Sequence, residues 1–303
     1  MRSPASTLSR LLEPFGAVRA AQPVGGGCIS EACRVDLQPR DGGLATLFVK
    51  SNRADFLENF RCETAGLRQL AEPAAIRVPQ PLQCCGFEGQ AWFVSEWIES
   101  SREGRAGHGR DAFFRRFGRR LARLHQRTQG EAIGLDHDNY LGAARQINQP
   151  RADWVRFFQE QRIGFQLRWA VDQGRADHAM QADLERLIDR LPELLKGRDS
   201  GTSLLHGDLW SGNYLSDSSG EPVIFDPAIY RGCREAEFGM LQLFGGCPPA
   251  FDEAYQEAWP FPAGWQRRVR IYVLYHLLNH LNLFGSGYAG QCRGLTREIL
   301  AAA

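Results

Sequence analysis

The sequence predicts an α+β chain of two lobes, a small antiparallel-sheet lobe over residues 1–100 and a larger helical lobe over residues 101–303. Three observations predict it. Residues 17–98 hold short apolar runs with period-two alternation, broken by turn residues. Residues 110–300 instead repeat their apolar side chains at helical spacing. Between the two lies ESSREGRAGHGR at 99–110, a polar, glycine-bearing stretch that reads as a linker.

In the first lobe, Val18 to Leu37 carries apolar runs on either side of Gly25, Gly26 and Gly27. The segment 39–43, Pro-Arg-Asp-Gly-Gly, is a turn signal. LATLFVK at 44–50 alternates, with Leu44, Thr46, Phe48 and Lys50 on one face and Ala45, Leu47 and Val49 on the other, and Lys50 closes this third strand. A charged helix follows over 54–71 and stops before Pro73. PLQCCGF and QAWFVSEWI flank Glu88-Gly89 as a hairpin, so the adjacent Cys84 and Cys85 fill strand positions. In the second lobe the apolar spacing of Phe114, Phe117, Leu121 and Leu124 marks a helix. Leu184, Leu187, Ile188 and Leu191 mark another, and Ile271, Leu274, Tyr275, Leu278 and Leu281 a third. Only 203–230 interrupts the helical pattern.

Composition excludes several classes. At 303 residues and 43% apolar content the chain can bury a large core. A formal charge of +1, from 36 basic and 35 acidic residues, gives no support to a nucleic-acid or membrane-surface partner. Eight cysteines without a CxxC pair form neither a disulfide scaffold nor a zinc site. The first 16 residues lack a signal-peptide core, and the longest apolar stretch, 271–284, carries His and Asn and is no membrane span. A cytoplasmic protein with reduced thiols is expected. Only Lys50 and Lys196 are lysines, the rest of the basic residues being arginine. Codon bias explains the excess, and it makes a retained lysine informative.

The chemistry is concentrated in the interruption. LLHGDLWSGN at 204–213 spaces His206, Asp208 and Asn213 as H-x-D-x-x-x-x-N, the pattern of a kinase catalytic loop, and VIFDPA at 223–228 places Asp226 after a short buried strand. Phosphoryl transfer needs one carboxylate to orient the attacking hydroxyl and accept its proton, which suits Asp208. It also needs oxygen ligands for Mg²⁺, which suits Asn213 and Asp226. Gly25, Gly26 and Gly27 lie between two predicted strands, where backbone N–H groups can approach the phosphates of ATP; no G-K-[ST] follows, so this is not a Walker A loop. Lys50 would meet the α/β-phosphates, held by a carboxylate from the next helix: Glu63, with Glu58 as rival. A solvated strand-end lysine is the competing reading. The backbone around Glu96, Trp97 and Ile98, in the inter-lobe segment 93–100, would take the adenine edge.

The chain resembles the fructosamine kinase family, whose members share the protein-kinase-like fold with aminoglycoside and choline kinases. The resemblance covers nearly the whole sequence: GGGCIS at 25–30, LARLH at 121–125, GLDHDNYLG at 134–142, LLHGDLWSGN, FDPAIY at 225–230, FGGCPPAFDEAYQEAWP at 244–260 and LYHLLNHLNLFGSGY at 274–288. It implies ATP- and Mg²⁺-dependent phosphorylation of the 3-hydroxyl of a ketosamine, a fructosamine or ribulosamine, free or protein-bound. The 3-phosphate eliminates and returns the amine. Asp208 would be the base and Trp210 would line the sugar pocket, core packing being the alternative for Trp210. A monomer or weak homodimer is expected. Two departures stand out, Cys233 where the family carries histidine and Glu237 where it carries the shorter aspartate. Residues 143–146 read as a loop variation, and His276 and His280 as packed residues rather than metal ligands. Cys28 sits in the glycine loop, where oxidation would modulate ATP binding unless the thiol is inert. A small alcohol of aminoglycoside or choline type is the alternative acceptor, and a nucleotide-binding scaffold the alternative class. The intact Lys50, Asp208, Asn213 and Asp226 argue against the scaffold. No APE-type segment follows Asp226, which disfavours a protein kinase.

Overall fold

A computed structural model describes residues 4–25, 29–40, 42–101 and 108–302. The first lobe is a five-stranded antiparallel sheet in the order β1-β2-β3-β5-β4, from β1 (Gly16–Pro23), β2 (Glu31–Pro39), β3 (Thr46–Arg53), β4 (Pro81–Phe87) and β5 (Gln90–Glu96). Period two sorts its side chains. Val35, Leu37, Leu47, Val49, Trp92 and Val94 face one way and pack on Leu11 and Leu12 of helix α1 (Pro4–Leu11) and the residue after it. Ala91 and Phe93 face the other way and pack on Phe60 and Leu67 of α2 (Leu57–Ala71). Glu88 and Gly89 turn the β4–β5 hairpin with φ of 49° and 77°, both left-handed, as a tight hairpin of this twist requires. Two expectations change. β3 continues to Arg53, because its pairing with β5 runs on to Gln90, so Lys50 lies within the strand rather than at its end. Helix α1 was not anticipated; its short amphipathic repeat is weak beside the strand signals that follow.

The second lobe is mainly helical: α3 (His108–Arg127), α4 (Trp154–Phe158), α5 (Gly164–Asp172), α6 (His178–Leu194), α7 (Glu237–Leu243), α8 (Pro249–Ala258), α9 (Trp265–Phe284) and α10 (Ala289–Ala301). A π-helical turn, Gln159–Ile163, joins α4 to α5. Helices α3 and α8 touch at backbone range, since a Cβ on Gly118 would lie 2.3 Å from the Phe251 carbonyl oxygen. One core cluster gathers Phe117, Leu121, Phe238, Phe251 and Tyr255 with Leu204 and Leu209, beneath the loop 206–213. A second joins Phe157, Phe158, Leu187, Tyr272, Leu278 and Ile299 across α4, α6, α9 and α10.

Three small ribbons complete it. Residues 143–146, expected as a loop, include strand β7 (Ala144–Gln146), paired with β6 (Asn139–Leu141). Strand β8 (Ser203–Leu205) pairs with β11 (Tyr230–Gly232), and β9 (Tyr214–Ser216) with β10 (Pro222–Ile224). The last two ribbons set the loop 206–213 against 225–229. The seven described cysteines are free thiols. Among the described residues no helix is long and apolar enough to cross a membrane.

Candidate active site

Lys50 is built into the site by strand alternation. It shares its face of β3 with Phe48, towards α2, and is only 8% exposed. Its Nζ lies 2.9 Å from Glu63 Oε1 and also contacts Asp226 Oδ1. Glu63 is the partner because it sits on the buried face of α2 between Phe60 and Leu67, whereas Glu58 is at the surface, 3.2 Å from Arg61. Burial opposes the ammonium charge, but Asp226 and Glu63 outweigh it and hold the lysine pKa above its usual range. For Glu63 the direction is also upward. Burial raises it, Lys50 pulls it down and the Asp226 charge raises it again, one ammonium serving two carboxylates.

The loop 206–213 leaves β8 at His206, which is fully buried. Its Nε2 meets the Phe225 carbonyl at 2.9 Å and its Nδ1 accepts the Asp208 N–H at 3.3 Å. That pair of bonds assigns a neutral imidazole with the proton on Nε2. Burial pushes its pKa down, in keeping with this. Gly207 follows at φ +81°, so close to the opposite loop that a Cβ would lie 2.1 Å from the Ala228 carbonyl oxygen. Only glycine fits there.

Asn213 ties the two loops together. Its amide nitrogen donates to the Asp208 carbonyl at 2.8 Å, to Asp208 Oδ2 at 3.2 Å and to the Asp226 carbonyl at 3.4 Å. The Phe225 N–H returns a bond to the Asn213 carbonyl at 3.0 Å. Asp226 then adopts φ +57°, a left-handed conformation that Asp tolerates better than most residues and that recurs at functional sites. Burial and the charge of Asp226 push the Asp208 carboxyl well above its ordinary pKa, against the opposing Asn213 hydrogen bond.

The donor set fits Mg²⁺. With its nitrogen spent on Asp208 and the Asp226 carbonyl, Asn213 has its amide oxygen left to offer a cation, and the Asp226 carboxylate supplies a hard anionic oxygen. Among the described residues no cluster of three or more His, Cys, Asp or Glu side chains could hold a metal ion. Mg²⁺ does not need one, since it uses one or two protein oxygens with phosphate and water.

The remaining predicted residues fall around this centre. Gly25 ends the described part of the glycine loop, which Val24 closes by donating to the Ala32 carbonyl at 2.9 Å; Gly26, Gly27 and Cys28 lie outside the described residues. At residues 29 and 30, Asn52 Nδ2 donates to the Ile29 carbonyl at 3.0 Å and to Ser30 Oγ at 2.9 Å, tying this segment to the strand that carries Lys50. Glu96 exchanges bonds with Gln80, its N–H donating to the Gln80 carbonyl at 3.0 Å. Trp97 lies against Phe48, and Ile98 is buried. Trp210 folds over Gly212, where a Cβ would be 2.4 Å from the indole, and its ring contacts Phe244 at 5.4 Å. Beside this loop a cavity of about 310 Å³ opens between Ser100, Phe113, Ser211 and Tyr214.

Sequence reasoning missed two supports. Glu237 is fully buried and accepts the N–H groups of His206 at 2.6 Å and Gly207 at 3.0 Å. Burial works against its charge, but His125 Nε2, 3.5 Å away, and the backbone N–H of His206 keep its pKa below the usual range. The sequence marks this residue only by its departure from the family's aspartate. The second support begins in the supposed loop variation. Gln146 Nε2 donates to the Ala228 carbonyl at 3.0 Å and Asn139 Oδ1 at 2.8 Å, and Gln146 Oε1 accepts from Tyr275 at 3.0 Å. Asn139 in turn donates to the Ile229 carbonyl at 2.8 Å, so this network fixes the backbone just after Asp226. Nothing in the spacing of these residues signals it. Cys233 is buried in the core, and His276 and His280 are packed on α9, as expected.

A sheet lobe and a helical lobe meeting at Lys50, Asp208, Asn213 and Asp226 define a kinase-like phosphotransferase. The chain belongs to the fructosamine kinase family, which it matches over residues 1–302. It is 39% identical over 289 residues to a probable ketoamine kinase of Synechocystis, covering 95% of this chain and 92% of that protein. It is 38% identical over 279 residues to the chloroplastic protein-ribulosamine 3-kinase of Arabidopsis thaliana, covering 91% and 81%. Among solved structures, a fructosamine-3-kinase candidate from Haemophilus somnus superposes with a TM-score of 0.83 at 27% identity, over 97% of both chains. An aminoglycoside phosphotransferase superposes with a TM-score of 0.70 at 17% identity, over 98% and 99%, which is a likeness of fold.

Proposed function

We propose that the protein transfers the γ-phosphoryl group of ATP to the 3-hydroxyl of a ketosamine, a fructosamine or ribulosamine. The observation that carries the reading is the bracing of Asp208 and Asp226 by one residue, Asn213, with Lys50 bridging Asp226 to Glu63. The acceptor class is supported by family membership and by the names of the relatives at 38–39% identity.

In this reading Asp208 orients the sugar hydroxyl and accepts its proton. Its raised pKa makes it a stronger base than an ordinary carboxylate. Lys50 offers its ammonium to the α/β-phosphates, steadied by Glu63. The phosphates are assigned to the glycine segment of Gly25, Gly26 and Gly27, and the adenine edge to the backbone of Glu96, Trp97 and Ile98. Mg²⁺, when bound, neutralises charge building on the phosphoryl oxygens, and Asn213 and Asp226 are the residues to hold it. Trp210 lines the sugar pocket. Residues 1–100 then serve as the nucleotide lobe and 101–303 as the catalytic and acceptor lobe. The 3-phosphorylated product loses phosphate by β-elimination, and water then cleaves the C1–N bond to release the amine and a deoxydicarbonyl sugar, so the net effect is deglycation. We also propose a cytoplasmic setting and a monomer or weak homodimer.

The test is ADP release with Mg²⁺-ATP against ribulosyl-lysine, fructosyl-lysine, kanamycin and choline, with Asp208→Asn alongside. Turnover on the ketosamines alone, lost in Asp208→Asn, is expected. Turnover on kanamycin or choline alone would reassign the acceptor. ATP binding without turnover on any would make the protein a nucleotide-binding scaffold.

A further inference from the structure

Among the described residues four large apolar side chains are exposed, Ile29 at 39%, Leu44 at 44%, Phe244 at 44% and Phe284 at 53%. Scattered apolar residues are normal on a protein surface. Two of these four are joined in one aromatic row. Trp210 meets Phe244 at 5.4 Å between ring centroids, Phe244 meets His280 at 5.3 Å, and His280 meets Phe284 at 5.4 Å and Tyr288 at 5.3 Å. A third comes in from the other lobe. The side chains of Ile29 and Leu283, the neighbour of Phe284, converge on Gly142, at 2.9 and 3.8 Å from where its Cβ would stand. The end of the glycine loop and the end of α9 thus meet at Gly142, α9 through Leu283, one residue along the chain from Phe284. The row begins two residues after Asp208 and runs outward to solvent at Phe284.

We propose that this row is the subsite for the amine half of the acceptor, with the substituted ammonium over the Trp210 and Phe244 faces and its hydrocarbon stem along Phe284. The inference rests on the ketosamine reading above and deepens it. In a ketosamine the nitrogen is bonded to C1, three bonds from C3, so a sugar whose 3-hydroxyl meets Asp208 carries its nitrogen only a few ångströms away. Chain connectivity keeps Trp210 within about 7 Å of Asp208 from Cα to Cα. That nitrogen is a secondary amine, protonated near neutral pH, and aromatic faces attract such cations. His280 does not compete as a cation, because burial pushes its pKa down and its Nδ1 is engaged with the His276 carbonyl at 2.7 Å. The open end at Phe284 lets a long amine, such as a lysine side chain on a polypeptide, leave the site without a clash.

The test compares kcat/KM for three acceptors that share one ketose: the Nε-lysine ketosamine, the methylamine ketosamine, and the ether in which oxygen replaces the lysine nitrogen. Phe244→Leu keeps apolar bulk and removes the π face. It is expected to lower the preference for the lysine ketosamine over the ether by about three- to fivefold. Phe284→Ser is expected to lower kcat/KM for the lysine ketosamine by about two- to fivefold relative to the methylamine ketosamine. An unchanged KM for ATP shows that both variants remain folded. Equal losses on all three acceptors, or no loss on any, would overturn the subsite while leaving the ketosamine reading intact. A wild-type enzyme that turns over none of the ketosamines overturns both.

Discussion

The Glu237 carboxylate accepts the His206 N–H at 2.6 Å, joining the first residue of α7 to the residue that opens the loop 206–213. Its other oxygen takes the Gly207 N–H at 3.0 Å, so one buried side chain fixes two consecutive peptides just before Asp208. Glu237→Gln keeps the shape but removes the charge and turns an NH₂ donor against one of those N–H groups. A charge-assisted bond lost inside the protein lowers stability by about 2–3 kcal/mol. Displacing Asp208 by a fraction of an ångström to an ångström lowers kcat by up to roughly 10²-fold. Urea unfolding and steady-state kinetics on Glu237→Gln measure the two effects. Wild-type values for both would show that the contact does not position the loop.

Lys50 stands between two carboxylates, so removing it alone is expected to be worse for stability than removing it together with Glu63. Lys50→Met leaves Glu63 and Asp226 facing each other without a cation, a change of about 3–5 kcal/mol for a broken buried pair. Adding Glu63→Leu replaces the pair by apolar groups beside Phe60 and Phe93, and most of the loss is expected to return. Activity is not expected to return, because the role proposed for Lys50 at the nucleotide phosphates needs the ammonium. A double variant as unstable as Lys50→Met would show that Glu63 is not the group left uncompensated. A double variant with wild-type kcat/KM would remove Lys50 from the site.

The legible and illegible parts of this site differ by a physical criterion. His206, Asp208, Asn213 and Asp226 stand within one short stretch, and the chemistry of phosphoryl transfer restricts which residue types can occupy it. Their spacing therefore carries the signal. The sheet lobe was legible for a similar reason, since alternation at Leu47, Phe48, Val49 and Lys50 is a local consequence of the pleat. Glu237 and Gln146 were not. Glu237 reaches a peptide 31 residues away, and Tyr275 reaches Gln146 across 129. Such bonds satisfy buried polar groups that only the finished fold brings together, and their local sequence resembles that of any loop or helix start. Lys50 and Glu63 are intermediate, 13 residues apart but joined by a strand-to-helix geometry that narrows the partner to one face of α2.

The raised pKa of Asp208 has a kinetic consequence with a definite sign. Below that pKa the carboxyl is protonated and cannot take the proton of the hydroxyl, so kcat/KM falls as pH falls. The acid limb is expected above the ordinary carboxylate value of about 4. Burial is the main cause, and two neighbours modulate it in opposite directions. Asn213→Ala removes a hydrogen bond that favours the ionised form and is expected to move the limb to higher pH. Asp226→Asn removes a repelling charge and is expected to move it to lower pH. Both variants lose amplitude, so the position of the limb is the quantity to read from pH–rate profiles. Shifts in the same direction for both would exclude Asp208 as the titrating group.

His276 makes the fold sensitive to acid in a way one substitution can isolate. Its Nδ1 is buried without a hydrogen-bond partner among the described residues, and burial, with the nearby His280 and Arg162, pushes its pKa down to about 3. In the unfolded chain the same imidazole takes a proton near pH 6.5. Between those values the unfolded state holds a proton that the native state does not. The stability from this residue is therefore fully present above pH 6.5 and is lost as pH falls, by about 1.4 kcal/mol for each pH unit. Carboxylates raised by burial, such as Glu63 and Asp252, act in the opposite sense over part of this range, so the total curve alone does not isolate His276. The difference between wild type and His276→Asn does, because the other groups cancel. Denaturant unfolding of both proteins from pH 7 to pH 4.5 is expected to show the variant gaining on the wild type by about 2–3 kcal/mol. Parallel stability curves would mean that His276 is protonated in the native protein and that its buried nitrogen has found a partner.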